Sequence, residues 1–431
     1  MKKVVKFGGS SLADAKQFEK VAEIIKADES RIYVVPSAPG KRNFKDTKVT
    51  DMLIQVYEKA ATKESIHEDL QKIKARYDEI IQGLKLEPFN LDDDFQIIEE
   101  QLQKEPTLDY AASRGEFLNG KIMAEYIGYD FVDAKDVIFF DEEGRWDAQK
   151  TEKTMRATLG KLKNAVVPGF YGTGFDGRIK TFSRGGSDVT GSIVAGAMKV
   201  DSYENWTDVS GFLVADPRII ENPVAMKVIT YRELRELSYM GASVLHEDAI
   251  FPVRSAGIPI NIKNTNAPSD EGTWIVESTG HKPDYTITGI AGKQGFCAVL
   301  ITKSLMNSEI GFGRKVLEAF EQNDISFEHM PSGIDTMTIV VHEDEFLHKE
   351  QSVVSAIHRL AKPDSIEIET DLALIAVVGR GMKSNRGTAG RIFFFFSYAR
   401  GNVRMLFQGS SELNIIIGVE NKDFTTAVKA I

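Results

Sequence analysis

The order of apolar runs and Gly-rich turns predicts an α/β protein: a domain built on a mainly parallel sheet, then a ferredoxin-like βαββαβ pattern used twice. Three observations carry this. Val4–Phe7, an apolar helical face at Phe18, Val21, Ala22 and Ile25, and Ile32–Val35 follow one another at the spacing of a βαβ unit. Gly-rich segments recur where a strand gives way to a helix, at 8–11 and 185–188. Ile325–Glu328 and Met337–Val341 recur as Val403–Leu406 and Ile415–Val419 about 78 residues later, each copy reading strand, helix, strand, strand, helix.

The elements follow in order. Pro36 stops the second strand. Residues 41–48 (KRNFKDTK) read as a mobile basic loop, and about 51–105 as a polar, solvated helical insertion without chemistry of its own. A helix over 109–127 carries Ser113-Arg114-Gly115-Glu116. Strands are expected at Phe131–Asp133, Val137–Phe140, Ala165–Val167, Ser202–Trp206, Ile258–Ile262 and Thr273–Val276, with a helix from Asp188 to Lys199. The polar stretch 278–285, with Gly and Pro, marks a domain boundary.

Composition narrows the function. The chain has 431 residues, enough for two or three domains. Its net charge of −10 argues against non-specific nucleic-acid binding and against a basic membrane-surface protein. One cysteine, Cys297, excludes a disulfide framework and a Cys-built zinc site, and fits a reducing cytosol. No uncharged apolar run reaches membrane-spanning length, and the apolar part of the N-terminus is too short for a signal peptide.

Two loops have the chemistry of anion sites. Lys6-Phe7-Gly8-Gly9-Ser10-Ser11 places glycines and helix-opening amides where a phosphate can approach, with an ammonium at the strand end. It is neither a Walker A nor a G-x-G-x-x-G segment, and alone it also reads as a tight βα turn with a solvated lysine. Thr181–Asp188 (TFSRGGSD) opens a second helix; Arg184 can fork onto a carboxylate, while Ser187 or Asp188 alone would be an N-cap. In Trp206–Gly211 (WTDVSG) and Asp216-Pro217-Arg218, Asp208 can accept from a purine or ribose and Arg218 can meet a polyphosphate; the plain alternative is two consecutive turns. Arg114 and Glu116 alone would read as a surface ion pair. His246 reads as a structural or surface histidine, His67, His281 and His329 show no metal-ligand spacing, and no catalytic triad can be assembled.

Taken together and in order, KFGGSS, SRGE, SRGGSD, WTDVSG…DPR and GASVLH resemble the amino-acid kinase family, and within it the aspartate kinases. GRGMKSNRGTAGRIF and NVRMLFQGSSELNIIIGV are similar to the second ACT domain of those enzymes. The resemblance covers nearly the whole chain apart from the helical insertion. It implies the three-layer amino-acid-kinase fold over 1–283 and two ACT domains over 284–431. The first would span about 299–368; the second would combine about 284–298 with 369–431. It implies a monofunctional, cytoplasmic enzyme that transfers the ATP γ-phosphoryl group to the side-chain carboxylate of L-aspartate, with Mg²⁺ accompanying the nucleotide. It also implies feedback inhibition by an end-product amino acid of lysine, threonine and methionine synthesis, and a homodimer or homotetramer paired through ACT domains.

Residue roles follow by resemblance. Lys6 neutralises the transferring group, Gly8, Gly9 and Ser10 cradle phosphates, and Asp188 orients Lys6. Arg184 clamps the aspartate α-carboxylate, Glu116 pairs with its ammonium, and Ser37, Thr50, Phe170, Gly186 and Ser187 line its pocket. Thr207 and Asp208 match the adenine-ribose side, and Arg218 the polyphosphate. Met306, Gly311, Phe312, Ser326, Glu328 and Asp335 match the effector region; the two acids favour lysine, with threonine second. Two positions depart from the family. Ser243 stands where a phosphate-facing lysine is usual, with substitution by Lys227 or Arg218 or a weaker nucleotide affinity as the alternatives, and Leu213 stands where a tyrosine is common. The Ser243 departure is the one support for a non-catalytic amino-acid sensor, and SRGE, SRGGSD and two ACT domains together disfavour a family kinase acting on glutamate, acetylglutamate or a nucleotide.

Overall fold

The computed structural model describes residues 1–431 except 184, 243, 244, 246–248, 280–282, 284, 399 and 400. The chain forms two compact units: 1–212, 225–232 and 243–279 make the first, and 213–224, 233–242 and 280–431 the second.

In the first unit β1 (Lys3–Phe7) leads through α1 (Ala15–Lys26) to β2 (Arg31–Pro36). Asp14 caps α1 by accepting from the Gln17 amide at 2.9 Å. Three helices follow, α2 (Val49–Ala61), α3 (His67–Gly83) and α4 (Asp92–Lys104), then the long α5 (Leu108–Ile127), closed by Gly128 in the left-handed conformation. Next come β3 (Asp130–Phe131), α6 (Ala148–Leu159), β4 (Ala165–Val166) and a hairpin of β5 (Tyr171–Thr173) and β6 (Ile179–Thr181). The unit continues with α7 (Gly186–Met198), β7 (Ser202–Thr207), β8 (Val228–Thr230), the start of α8 (Tyr231–Tyr239), α9 (Phe251–Ser255), β9 (Ile260–Asn264) and β10 (Thr273–Val276). Among the described residues the main sheet runs β3-β4-β2-β1-β7-β9-β10-β8 and is parallel except where β9 meets β10.

The helical segment is no solvated appendage. Leu70, Ile73 and Tyr77 of α3 and Phe95, Ile98 and Leu102 of α4 share one core with Val5, Phe7 and Val34 of the sheet. Most of its charges occupy the outward faces, which is why the composition looks polar, while Arg76 is buried. The 41–48 loop is fastened, since Asp46 bridges Arg42 and Arg76, each at 3.0 Å. Val137–Phe140 makes no regular strand: Ala134–Asp136 is a 3₁₀ turn capped by Asp133, and the chain then touches Thr173 through one isolated bridge.

The second unit carries a five-stranded antiparallel sheet, order β12-β11-β13-β15-β14, made of β11 (Gly289–Thr302), β12 (Thr336–His342), β13 (Ser365–Val378), β14 (Met405–Phe407) and β15 (Asn414–Glu420). Two long strands serve two lobes. Residues 298–302 of β11 pair with 365–369 of β13, and 289–294 pair with 373–378, with register shifts between. One lobe packs α10 (Phe312–Glu321), α11 (Glu343–Leu347) and α12 (Glu350–Ala361) beneath Val299, Ile301 and Ile339; the other packs α13 (Thr388–Tyr398) and α14 (Phe424–Ala430) beneath Ile375, Val377 and Ile417. The expected strand Ile325–Glu328 is irregular. Glu328 and His329 exchange bonds with Val340, but Pro331 has no amide to continue the ladder.

Glu204 in the centre of β7 ties the main sheet together. It is 3% exposed and accepts from Lys3 at 2.9 Å, Arg31 Nε at 2.8 Å and Trp206 Nε1 at 2.9 Å. Glu204→Ala would leave the partly buried Arg31 guanidinium without a carboxylate, while Lys3 keeps Asp28 at 2.8 Å. It is expected to cost about 3–5 kcal/mol, read as an earlier urea midpoint by circular dichroism.

Candidate active site

Parallel pairing brings the ends of β1, β2 and β7 to one edge of the sheet, where crossing loops leave backbone groups for ligands. Lys6 and Asn205 are register partners there. The Lys6 side chain points to the face covered by α7, where Asp188 lies in the first helical turn. Lys6 Nζ is 2.6 Å from Asp188 Oδ1, and Asn205 Nδ2 donates to the same oxygen at 2.8 Å. With the lysine 7% exposed, the ammonium is fixed and its access is restricted to the loop side. A Cβ at Gly8 would stand 3.6 Å from that ammonium; glycine leaves it uncovered. The Gly8 amide donates to Trp206 O at 3.0 Å, and Gly9–Leu12 turns as a 3₁₀ helix with Ser10 exposed. A Cβ at Gly9 would lie 2.8 Å from Ala38 O, so the loop after β2 packs directly on this turn.

That loop leads to the second group. Arg114 and Glu116 are buried, not a surface pair. Arg114 stacks on Tyr110, Phe117 and Tyr171, and Glu116 is 6% exposed. Its Oε2 has no hydrogen-bond partner among the described residues. Burial pushes the Glu116 carboxyl up to about 8, against hydrogen bonds from the Ala38 amide and its own amide and the charges of Arg114 and Lys6. Asn119, one turn on, donates to Ser37 O at 2.6 Å, and its own Oδ1 is unpartnered. Thr50 stands in the first turn of α2.

Phe170 adopts φ of +82°, a conformation bulky residues rarely enter. Thr190 of α7 holds it, accepting from its amide at 3.0 Å. A Cβ at Gly186 would run into the Phe170 ring, and one at Gly169 into Ser187. The Gly185–Ser187 turn and Phe170 therefore form one close-packed wall. Thr207 ends β7 and donates to the exposed Asp208 at 3.2 Å. Lys227 is exposed beside β8. Arg218 belongs to the second unit, where its exposed guanidinium is folded onto Asp216 at 2.6 Å. Arg184 and Ser243 lie outside the described residues. The sequence reading missed Asn205, Asn119 and Thr190. Their signal is positional only: register partner of Lys6, one turn from Glu116, one turn from Gly186.

Of the effector residues, Met306 and Phe312 are buried, Ser326 is exposed, and Gly311 begins α10 at φ of +82°. Glu328 Oε1 is 3.2 Å from His342 Nε2, and Asp335 Oδ1 accepts from the Leu305 amide at 2.9 Å.

Residues 1–264 match the amino acid kinase family, and 375–431 match an ACT domain. The chain is 41% identical to Aspartokinase 3 of Bacillus subtilis, over 100% of this chain and 97% of that one. It is 29% identical to the chloroplastic Aspartokinase 1 of Arabidopsis thaliana, over 99% and 79%. Its structure is similar to the crystal structure of Clostridium acetobutylicum aspartate kinase, described as an allosteric enzyme, with a TM-score of 0.94 and 50% identity, covering 100% and 99% of the two chains. The fold also matches E. coli aspartokinase III in complex with aspartate and ADP, with a TM-score of 0.73, 22% identity and coverage of 100% and 98%.

An ammonium that pairs with Glu116 must displace the carboxyl proton below about pH 8. Binding of an amino acid there is expected to release a proton at pH 7 and to tighten as pH rises toward 8. Titration calorimetry in buffers of different ionisation heat reads the release, which Glu116→Gln should abolish.

Proposed function

The chain belongs to the amino acid kinase family, among its aspartokinases, and on that premise we propose that it converts ATP and L-aspartate to ADP and 4-phospho-L-aspartate. The observation that carries the site assignment is the unpartnered, buried Glu116 oxygen, which feels the charge of the fixed Lys6 ammonium. A bound amino acid's ammonium answers the first, and a phosphoryl group answers the second.

An oxygen of the aspartate side-chain carboxylate attacks the γ-phosphorus. The bond to the β,γ-bridging oxygen breaks, and ADP leaves with that electron pair. The attacking carboxylate is ionised at pH 7, so no general base is required and catalysis is positioning with charge neutralisation. Lys6, oriented by Asp188, stabilises charge on the transferring group. Gly8, Gly9 and Ser10 present backbone to the phosphates, supported by the open face over Lys6 at Gly8. Arg184 takes the α-carboxylate and Glu116 the ammonium, while Ser37, Thr50, Phe170, Gly186 and Ser187 enclose the acceptor. Thr207 and Asp208 meet adenine and ribose, and Arg218 and Ser243 are assigned to the polyphosphate. Magnesium carried by the phosphates and water supplies further charge neutralisation; among the described residues no three His, Cys, Asp or Glu side chains cluster as a metal site.

Residues 1–283 form the catalytic domain in this reading, and 284–431 the two ACT domains, about 299–368 and about 284–298 with 369–431. The product feeds lysine, threonine and methionine synthesis in the cytoplasm. Lysine is the first candidate effector, at Met306, Gly311, Phe312, Ser326, Glu328 and Asp335, because two carboxylates favour a cationic side chain; threonine is second. Subunits pair through the ACT domains as a dimer or tetramer.

The test is acyl phosphate formation from ATP and Mg²⁺, trapped as hydroxamate, with L-aspartate, L-glutamate or N-acetylglutamate, each with and without lysine or threonine. Aspartate-only signal suppressed by lysine is expected. Effector binding without turnover of any acid would instead favour the sensor reading. Lys6→Ala is expected to lower kcat about a hundredfold or more, and near-normal turnover in the folded variant would remove Lys6 from its role.

A further inference from the structure

The Arg76 guanidinium of α3 is buried, 4% exposed, in a segment that supplies no group to the substrate site. Its Nη1 donates to Thr47 O at 2.8 Å and lies 3.0 Å from Asp46 Oδ2; its Nη2 donates to Gly40 O. The two carbonyls mark both arms of the loop that joins β2 to α2. That loop touches both halves of the candidate site. The Gly40 amide donates to Gly9 O at 2.8 Å, and a Cβ at Gly9 or Gly40 would collide with the other strand of this contact. A Cβ at Gly115 would lie 2.8 Å from the Ala38 Cβ, so the loop packs directly on the backbone beside Glu116. Tyr77, the next residue of α3, donates to Gly115 O at 2.8 Å, behind Glu116 itself.

We propose that Arg76 is a positioning residue that holds the 37–48 loop against the Gly9 turn and Glu116, so that α3 sets nucleotide and acceptor geometry together. The proposal rests on the assignment of Gly9 to the nucleotide and Glu116 to the amino acid. An arginine suits the task because a planar fork serves two carbonyls and a carboxylate at fixed angles, which a single ammonium does not. Asp46 offsets its charge from within the loop that it clamps.

The experiment compares the full chain with Arg76→Lys, Arg76→Gly and Asp46→Asn, reading KM for L-aspartate and for MgATP separately from kcat, together with thermal unfolding. Arg76→Lys is expected to raise both KM values about tenfold, as small misplacements of substrate-positioning groups do, while still unfolding cooperatively. Asp46→Asn keeps both carbonyl bonds and should shift them less. Added ethylguanidinium should lower the KM values of Arg76→Gly and leave Asp46→Asn unchanged. If Arg76→Gly does not fold, the other two variants decide. Wild-type KM values in folded Arg76→Lys would overturn the proposal, as would losses that track only the folded fraction. No aspartate turnover by the wild-type chain would overturn the functional reading and this proposal with it; normal wild-type turnover with unmoved Arg76→Lys overturns this proposal alone.

Discussion

The pairing of Lys6 with Asp188 is the contact around which the first unit is organised. It joins the end of β1 to the first turn of α7, two elements about 180 residues apart in sequence. Removing either partner of such a pair leaves an uncompensated charge in a place where water is scarce. Asn205 satisfies the same carboxylate from the neighbouring strand, so three elements converge on one oxygen. The ammonium thus reaches the loop side with its position already fixed. In the proposed reaction, the reorganisation that a solvated lysine would undergo is thereby largely complete before a substrate arrives.

Glu116 is the electrostatic counterpart. A carboxyl this buried prefers its proton, and among the described residues no group bonds its free oxygen. Arg114 is two residues away but spends its guanidinium on three aromatic rings and Ser113. The folded carboxyl is raised above its unfolded value, so its contribution to stability is full below about pH 4.5 and is lost as pH rises through about 8. A ligand ammonium reverses that preference. The site is therefore less comfortable empty than filled at the pH where an ionised carboxylate substrate is abundant.

Much of this was legible in the sequence. The βαβ start, the Gly-rich turns after strands and the repeated ferredoxin-like pattern each follow from local periodicity and turn chemistry, and each corresponds to structure. What stayed hidden is what depends on register and burial. Nothing local to Asn205 distinguishes it from any polar strand residue until β7 lies beside β1. Arg114 and Glu116 look like surface charges because a helix of mixed composition hides which face is inward. Residues 325–328 have strand composition, but one proline downstream prevents a full ladder. The helical segment misleads most: its many charges are real, yet Ile73, Tyr77 and Ile98 bind it into the core beneath the sheet.

In the proposed reaction a carboxylate nucleophile needs no base, so rate enhancement comes from where groups are held. Loops hold groups poorly unless their carbonyls and amides are engaged from outside the loop. Here the 37–48 loop is engaged on three sides: by Phe7 O accepting from the Ser37 amide, by Asn119 on Ser37 O, and by Arg76 on Gly40 O and Thr47 O. The wall facing it is stiffened differently, by Gly186 packed on a Phe170 whose backbone is kept in an unfavourable conformation. A rigid β-edge, a clamped loop and a strained wall are three separate solutions to one requirement. They meet at the same edge of the parallel sheet because only there do β1, β2 and α7 all present chain ends.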